Sequence, residues 1–324
     1  MNNNISLIIP SNANKFYVED FILNISFWTL KPNEIIIINT KLKKFSINLE
    51  VIKKFKQKKI QIRIVNKKGL YPGAARNLGI KHSKFNYLCF LDINTVVYDN
   101  NWLKLNIKFM QKNKVEILVG QTLYLANNEK EKLIIASTYG FKKLTTLPGT
   151  IIKKELFKKL GFFNNKTRAG EDTDWLLRLK KSNFKSLDII EPIYYKGLYE
   201  MTYTKIIKKW FRNYQSSSDY SHLFNQKMIY LTSFALGIFI FLINIYLINF
   251  NQNLLNQVFF QYFSIIFILY YIALRGIYLP LKKNTKINFL LPVNIFKIFF
   301  FSFILDLVKV SSFLLSTLFK KIKL

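Results

Sequence analysis

Between Met228 and Leu274 the chain carries no Asp, Glu, Lys or Arg. No other feature constrains the fold as strongly, because core helices of soluble domains rarely run so far without a charge. Asn251, Gln252 and Asn253 split the stretch into Met228–Phe250 and Leu254–Leu274. Each half is long enough for a helix crossing a hydrocarbon core of about 30 Å, which takes roughly 20 residues. A pair of buried core helices is the alternative; a membrane hairpin over 228–274 is the expectation. Arg275, Lys282, Lys283 and Lys286 follow, in a basic loop over 275–288. Basic residues flank the cytoplasmic ends of spans, so this loop and the N-terminal region are expected on one side.

In the last segment, 289–320, Ser302, Asp306, Lys309, Ser312, Ser316 and Lys320 recur at steps of three or four. That spacing draws one polar stripe along an apolar helix. An interfacial helix lying in the membrane plane is favoured, since it keeps Lys320, Lys321 and Lys323 on the cytoplasmic side. A third span with the stripe packed inward is the alternative. No buried charge pair is expected in this region, which argues against a transporter. The expected domains are 1–222, before the composition change, and 223–324, the membrane part.

The 324 residues carry a formal charge of +31 and are 50% hydrophobic and 16% aromatic, with one cysteine. Such a composition excludes a disordered chain and a disulfide scaffold. One Cys with two distant His residues, His82 and His222, does not make a zinc site. A basic surface favours anionic partners: sugar nucleotides, anionic membrane lipids or nucleic acid. No nucleic-acid reading motif is present, so nucleic acid is not expected. Met1–Pro10 has only a short apolar run without a basic flank, which is not a signal peptide. The start of the chain is therefore expected in the cytoplasm.

The polar part alternates strand and helix patterns. Ile5–Pro10, Glu34–Asn39, Ile60–Val65 and Tyr87–Leu91 read as strands. Tyr17–Trp28, Leu49–Lys56 and Gly73–Lys81 read as helices. Alternation of this kind predicts an α/β doubly wound, mostly parallel sheet with ligands beyond the carboxyl ends of its strands. No G-x-G-x-x-G or G-x-x-x-x-G-K motif follows the first strand, which removes the main support for dinucleotide and P-loop readings.

Three places carry polar residues suited to chemistry. Asp92 ends the fourth strand, where a carboxylate can reach a Mg²⁺ or Mn²⁺ held by a diphosphate, with Asn94 adding a neutral oxygen. Capping of the next turn is its bland alternative. Arg76 follows Gly73-Ala74-Ala75, small residues at a helix start that would let a phosphate approach. An exposed helix arginine is the alternative there. Glu171, Asp172 and Asp174 open an apolar, helix-like run, Trp175–Leu179. They suit a helix N-terminus, and one of them could act as a general base on a hydroxyl. Cys89 reads as a buried hydrophobe.

The order of these blocks resembles family 2 glycosyltransferases of the GT-A fold, from about Ile5 to Ser218. The resemblance rests on the strand ending in Pro10, on Ala75-Arg76-Asn77-Leu78-Gly79 and on Phe90-Leu91-Asp92-Ile93-Asn94. It continues in Gly149–Phe157 with Leu160-Gly161-Phe162-Phe163, and in Gly170-Glu171-Asp172-Thr173-Asp174 with Arg178-Leu179. It implies inverting transfer of a sugar from a nucleotide-diphospho-sugar. Asp172 would deprotonate the acceptor hydroxyl and Glu171 would orient the acceptor. Asp92, helped by Asn94, would hold the divalent cation. Arg76 would contact the nucleotide or diphosphate, and Pro10 and Asn39 would line the base and ribose pocket. Three departures stand out: Asn39 where Asp is usual, Asn94 in place of the second Asp of D-x-D, and no His in Pro192–Gly197. Lys196 could offset diphosphate charge in place of that His.

Lys208-Lys209-Trp210-Phe211-Arg212-Asn213-Tyr214 reads either as a loop closing over the nucleotide, with Arg212 on the phosphates, or as a basic aromatic collar at the headgroups. The collar is favoured. The expectation is an enzyme of the inner (cytoplasmic) membrane, its catalytic domain in the cytoplasm and its acceptor a lipid-linked or envelope glycan. A transferase acting on a polyprenyl phosphate and a degenerate, non-catalytic membrane scaffold are the rivals.

Overall fold

The computed structural model describes residues 4–41, 43–196, 202–218, 220–250 and 254–322. They form two compact units. Met1–Leu125 joins Lys143–Gly197 in the first, and Ala126–Lys142 joins Leu198–Leu324 in the second. Composition changes near residue 222, whereas packing divides the chain at Gly197 and lends one internal segment to the second unit.

The first unit opens with β1 (Ile5–Ser11), α1 (Lys15–Ile25), β2 (Glu34–Asn39), α2 (Leu49–Gln57), β3 (Gln61–Asn66), α3 (Pro72–His82) and β4 (Tyr87–Phe90). β5 (Thr95–Val96), α4 (Trp102–Lys112) and β6 (Ile117–Tyr124) follow. The chain then makes α5 (Glu129–Ser137) in the second unit. It returns as β7 (Leu144–Lys153), α6 (Leu156–Leu160), α7 (Glu171–Lys181), β8 (Ser186–Asp188) and β9 (Ile193–Tyr195). The isoleucines of β1 and β2 are fully buried on both faces. Only a strand covered on two sides tolerates such a run. Asn14 and Asn48 cap α1 and α2 by accepting from the amides of Tyr17 and Glu50, and Pro72 opens α3, where its missing N–H costs nothing.

Among the described residues nine strands form one sheet, in the order β3-β2-β1-β4-β7-β6-β9-β5, with β8 beside β6. β3, β2, β1 and β4 are parallel, as the alternating pattern predicts. β7 enters antiparallel between β4 and β6. This α/β sheet with flanking helices is the GT-A-type architecture. Cys89 is buried in β4, and burial pushes its thiol upward.

The second unit contains α5, α8 (Tyr203–Ser217), α9 (Phe224–Phe250) and α10 (Leu254–Ile272). A π-helical turn (Ala273–Tyr278), α11 (Leu279–Lys282), α12 (Ile287–Leu290) and α13 (Asn294–Ile322) complete it. Among the described residues three helices, Phe224–Leu247, Val258–Lys282 and Asn294–Ser316, are long and apolar enough to cross a membrane. Leu133 and Ala136 of α5 pack with Leu290 and Ile298, and Phe141 donates its amide to the Lys283 carbonyl. Gly140 permits that approach, because a Cβ there would lie 2.2 Å from the Lys283 Cβ.

Two expectations are corrected here. The polar stripe of the last segment is turned inward: Ser302, Asp306, Lys309 and Ser312 are buried in the second unit. An interfacial helix would keep such a stripe in water, so the packed third helix accounts for it better. The region also holds a buried charge group, contrary to expectation. Both oxygens of Asp306 pair with Arg275 at 2.9 Å, and Oδ1 also meets Lys309 at 3.0 Å.

Candidate active site

α3 enters the site through four consecutive solutions of one packing problem. Gly79 sits on β1, where a Cβ would come within 2.4 Å of Ile8 Cγ2. Asn77 donates to the Phe163 carbonyl at 2.8 Å and to Asn165 Oδ1 at 2.6 Å, and accepts from the Phe163 amide at 3.0 Å. It thereby pins the loop before α7 to α3. Gly73 lets that loop close in, since a Cβ would fall 2.2 Å from the Asn164 carbonyl and 3.0 Å from Glu171 Cγ. Arg76 stands between these contacts, its guanidinium 5.9 Å from the centre of the Phe163 ring.

The Arg76 fork joins two carboxylates. Nη1 donates to Glu171 Oε1 at 2.7 Å and Nη2 to Asp92 Oδ1 at 3.0 Å. Arg76 and Glu171 are almost wholly buried, whereas about a quarter of the Asp92 side chain (26%) is exposed. Burial alone would push the guanidinium down. Asp92, Glu171 and Asp172 outweigh that and hold it well above its ordinary value. Burial pushes the Glu171 carboxyl up to about 7, with Arg76 pulling it down and Asp172 pushing it further up.

Gly170, at φ 86°, makes the left-handed turn that launches α7. Glu171, Asp172 and Asp174 then occupy the first turn, where the helix dipole favours negative charge. Asp172 is half-buried, and its Oδ1 accepts the Thr173 amide at 2.7 Å. Asp174 instead pairs with Arg178 at 3.1 Å. Arg178 in turn donates to the carbonyls of Leu160 and Phe162, so this pair braces the loop rather than the site.

The other expected residues fall into three groups. Asn94 and Lys196 are neighbours through the sheet: the Lys196 amide donates to the Asn94 carbonyl at 2.9 Å, beside the β5–β9 pairing. Pro10 is half-buried near the end of β1. Asn39 ends β2 but is fully buried. Its amide donates to Asn66 Oδ1 at 2.7 Å and to the Lys43 carbonyl at 3.1 Å, and its Oδ1 accepts the Lys41 amide. Asn39 therefore shapes the turn after β2 from behind. Arg212 is exposed on α8, in the second unit. The segment Lys208–Tyr214 is helical, not a loop.

The fork also changes the expected part of Arg76. Each terminal nitrogen donates to a protein carboxylate, so Arg76 also positions Glu171 and Asp92. The sequence reading missed Gly73 and Asn77 as the parts that hold the fork. Their presence in the same short helix was the available signal.

Among the described residues no three His, Cys, Asp or Glu side chains cluster as a metal cage. The oxygens of Asp92 and Asn94 nevertheless fit a hard divalent cation shared with a diphosphate, because Mg²⁺ takes few protein ligands and completes its shell with phosphate and water.

The sequence profile of "Glycosyl transferase family 2" matches residues 6–170, just over half of the chain. An uncharacterised glycosyltransferase of Methanocaldococcus jannaschii is 29% identical over 159 residues, 45% of this chain and 54% of that one. One from Rickettsia felis is 29% identical over 199 residues, 57% and 31% of the two chains. The chain thus spans about half or less of the length of these relatives. Among solved structures, TarS of S. aureus in complex with UDP-GlcNAc is 14% identical with a TM-score of 0.45, covering 67% of each chain. The mannosyltransferase PcManGT of Pyrobaculum calidifontis, with GDP-Man and Mn²⁺, is 12% identical with a TM-score of 0.44, covering 64% of this chain and 61% of that one. The matched family segment takes in Arg76 and Asp92 and ends at Gly170, just before the carboxylates of α7, and with it the chain belongs to glycosyl transferase family 2.

Proposed function

We propose that the chain moves a sugar, with inversion, from a nucleotide-diphospho-sugar to a hydroxyl of a lipid-linked or cell-envelope glycan. Asp172 takes the hydroxyl proton as the acceptor oxygen attacks the sugar's C1. The bond from C1 to the diphosphate oxygen breaks on the opposite face, and that oxygen leaves with the bonding electrons. One observation carries this reading above the rest. Asp172 is a half-buried carboxylate in the first turn of α7, close enough to the Arg76–Glu171 pair to influence both.

Glu171 and Arg76 position rather than react. The buried fork fixes α7 against α3 and Asp92, so the base and the donor side are held by one rigid set of bonds. Asp92 and Asn94 would hold a Mg²⁺ or Mn²⁺, which would neutralise charge on the leaving diphosphate. Lys196, fastened beside Asn94, supplies a further positive charge on that side. Pro10 and the turn held by Asn39 bound the base and ribose. Arg212 belongs to the aromatic, basic helix beside the membrane helices and contacts lipid headgroups. The apolar helices anchor the enzyme in the inner membrane with its active site in the cytoplasm, where nucleotide sugars are made.

Membranes containing the chain, given labelled nucleotide sugars and a lipid extract, should transfer label to a lipid or glycan fraction. Asp172→Asn should abolish transfer while leaving donor binding intact. Loss of transfer on chelation, restored by Mn²⁺, would support the cation. Donor binding without turnover under every acceptor and metal would overturn the reading in favour of a scaffold.

A further inference from the structure

The second unit forms a partly open cavity of about 290 Å³. Its cationic lining is Arg275, Lys283 and Lys309, and Trp210, Tyr214 and Tyr230 line its aromatic side. The charge there does not balance. Asp306 is the carboxylate bonded to this group, and it serves both Arg275 and Lys309. Lys283 donates instead to a neutral partner, the Thr138 carbonyl, at 2.6 Å. Among the described residues, three cations against one carboxylate leave an excess of two positive charges. Burial, then Arg275, Lys309 and Lys142, push the Lys283 ammonium down to about 8. Uncompensated positive charge in a confined space is costly, and a bound anion relieves it.

The backbone is also unusual here. Arg275 lies in the π-helical turn Ala273–Tyr278, and such turns gather at functional sites. The depth is informative too. Tyr230 lies near the start of the first apolar helix, and Arg275, Leu279 and Lys283 near or just past the end of the second. At about 1.5 Å per residue, these residues lie up to roughly 10 Å inside the ends of the first two apolar helices, while Leu305, which also lines the cavity, lies near the middle of the third. Ionisable residues at such depth ordinarily mark a ligand path rather than packing.

We propose that this cavity binds the phosphate monoester headgroup of a membrane lipid, with Lys283 as its principal donor. A monoester carries about −1.5 to −2 at neutral pH, which matches the excess charge. A phosphodiester headgroup, with a single negative charge, leaves part of it uncompensated. Lys309 is held by Asp306 and Tyr230 and lies 4.6 Å from the centre of the Tyr230 ring, so it tunes the site more than it grips the ligand. A lipid monoester is the acceptor of the polyprenyl-phosphate alternative, so the site bears on that reading rather than on a glycan already linked to lipid. Its test is a binding measurement and does not depend on sugar transfer.

Trp210 faces the cavity and supplies a reporter. The full chain in non-ionic detergent is titrated with dodecyl phosphate, dodecanol, inorganic phosphate and phosphatidylglycerol, following tryptophan emission. Dodecyl phosphate should bind most tightly, and the signal should vanish in Trp210→Phe. Lys283→Gln should weaken dodecyl phosphate binding about tenfold, the loss of one charge-assisted bond, and Lys283→Arg should retain it. Equal binding of dodecanol would overturn the phosphate site. Equal binding of inorganic phosphate or phosphatidylglycerol would overturn its assignment to a lipid monoester. The ligand comparison on the unaltered chain decides the matter should Lys283→Gln fail to fold. Monoester binding without any sugar transfer would sink the transferase reading and leave this site standing.

Discussion

Two buried charge groups in this chain have opposite arithmetic. In the sheet unit one cation, Arg76, holds Glu171 and Asp92, with Asp172 near enough to act on both members of the buried pair. In the helical unit one carboxylate, Asp306, holds Arg275 and Lys309 and accepts the Tyr271 hydroxyl at 2.7 Å. An excess of acid suits a proton acceptor and a metal-bridged diphosphate. An excess of base suits an anion. The difference teaches that buried ion pairs here are defined by what remains unpaired rather than by the bonds they make.

The comparison can be broken in order of expected effect. Asp172→Asn should cut transfer by about 10²–10⁴-fold with little change in melting temperature, since general-base removal costs activity rather than fold. A small change in turnover would remove the acid group from the chemistry. Arg76→Met strands two carboxylates and should destabilise by about 3–5 kcal/mol, read by chemical or thermal unfolding. Asp306→Asn should cost a similar amount in the helical unit, where it leaves two cations facing each other. A near-neutral result for either would mean that water reaches that group.

Smaller effects sharpen the picture. Gly79→Ala drives a methyl into Ile8 and should cost about 1–3 kcal/mol. The Glu171 carboxyl titrates near 7 in the fold against an ordinary value of 4.5, so the fold favours its neutral form. Its stabilising contribution is therefore complete below the unfolded value and fades as pH rises through about 7. Wild-type melting temperature should fall relative to Glu171→Gln between pH 5 and pH 8, equivalent to roughly 2–3 kcal/mol. Parallel curves would place Glu171 ionised throughout.

Much of this was legible in the sequence, for identifiable reasons. The parallel strands declared themselves because β1 and β2 are buried on both faces and so are written in continuous isoleucine. The motif around Arg76 and Glu171 was readable as chemistry, but the fork that joins them spans 95 residues of sequence and obeys no local pattern. The same holds for Asp306. Its stripe shows the helical period, yet its partner Arg275 lies 31 residues away, and only packing reveals that the stripe faces inward. β7 was unreadable as antiparallel because strand direction is set by the route of the chain, which here detours through α5. Asn39 was read by its position at a strand end, although its amide is spent on its own turn.

That detour has a practical consequence. Cutting the polypeptide after Gly197 to obtain a soluble catalytic fragment would leave Glu129–Ser137 without the residues that cover Leu133 and Ala136. The fragment would expose an oily helix in mid-chain and invite aggregation. A useful truncation would also replace 126–142 with a short hydrophilic linker.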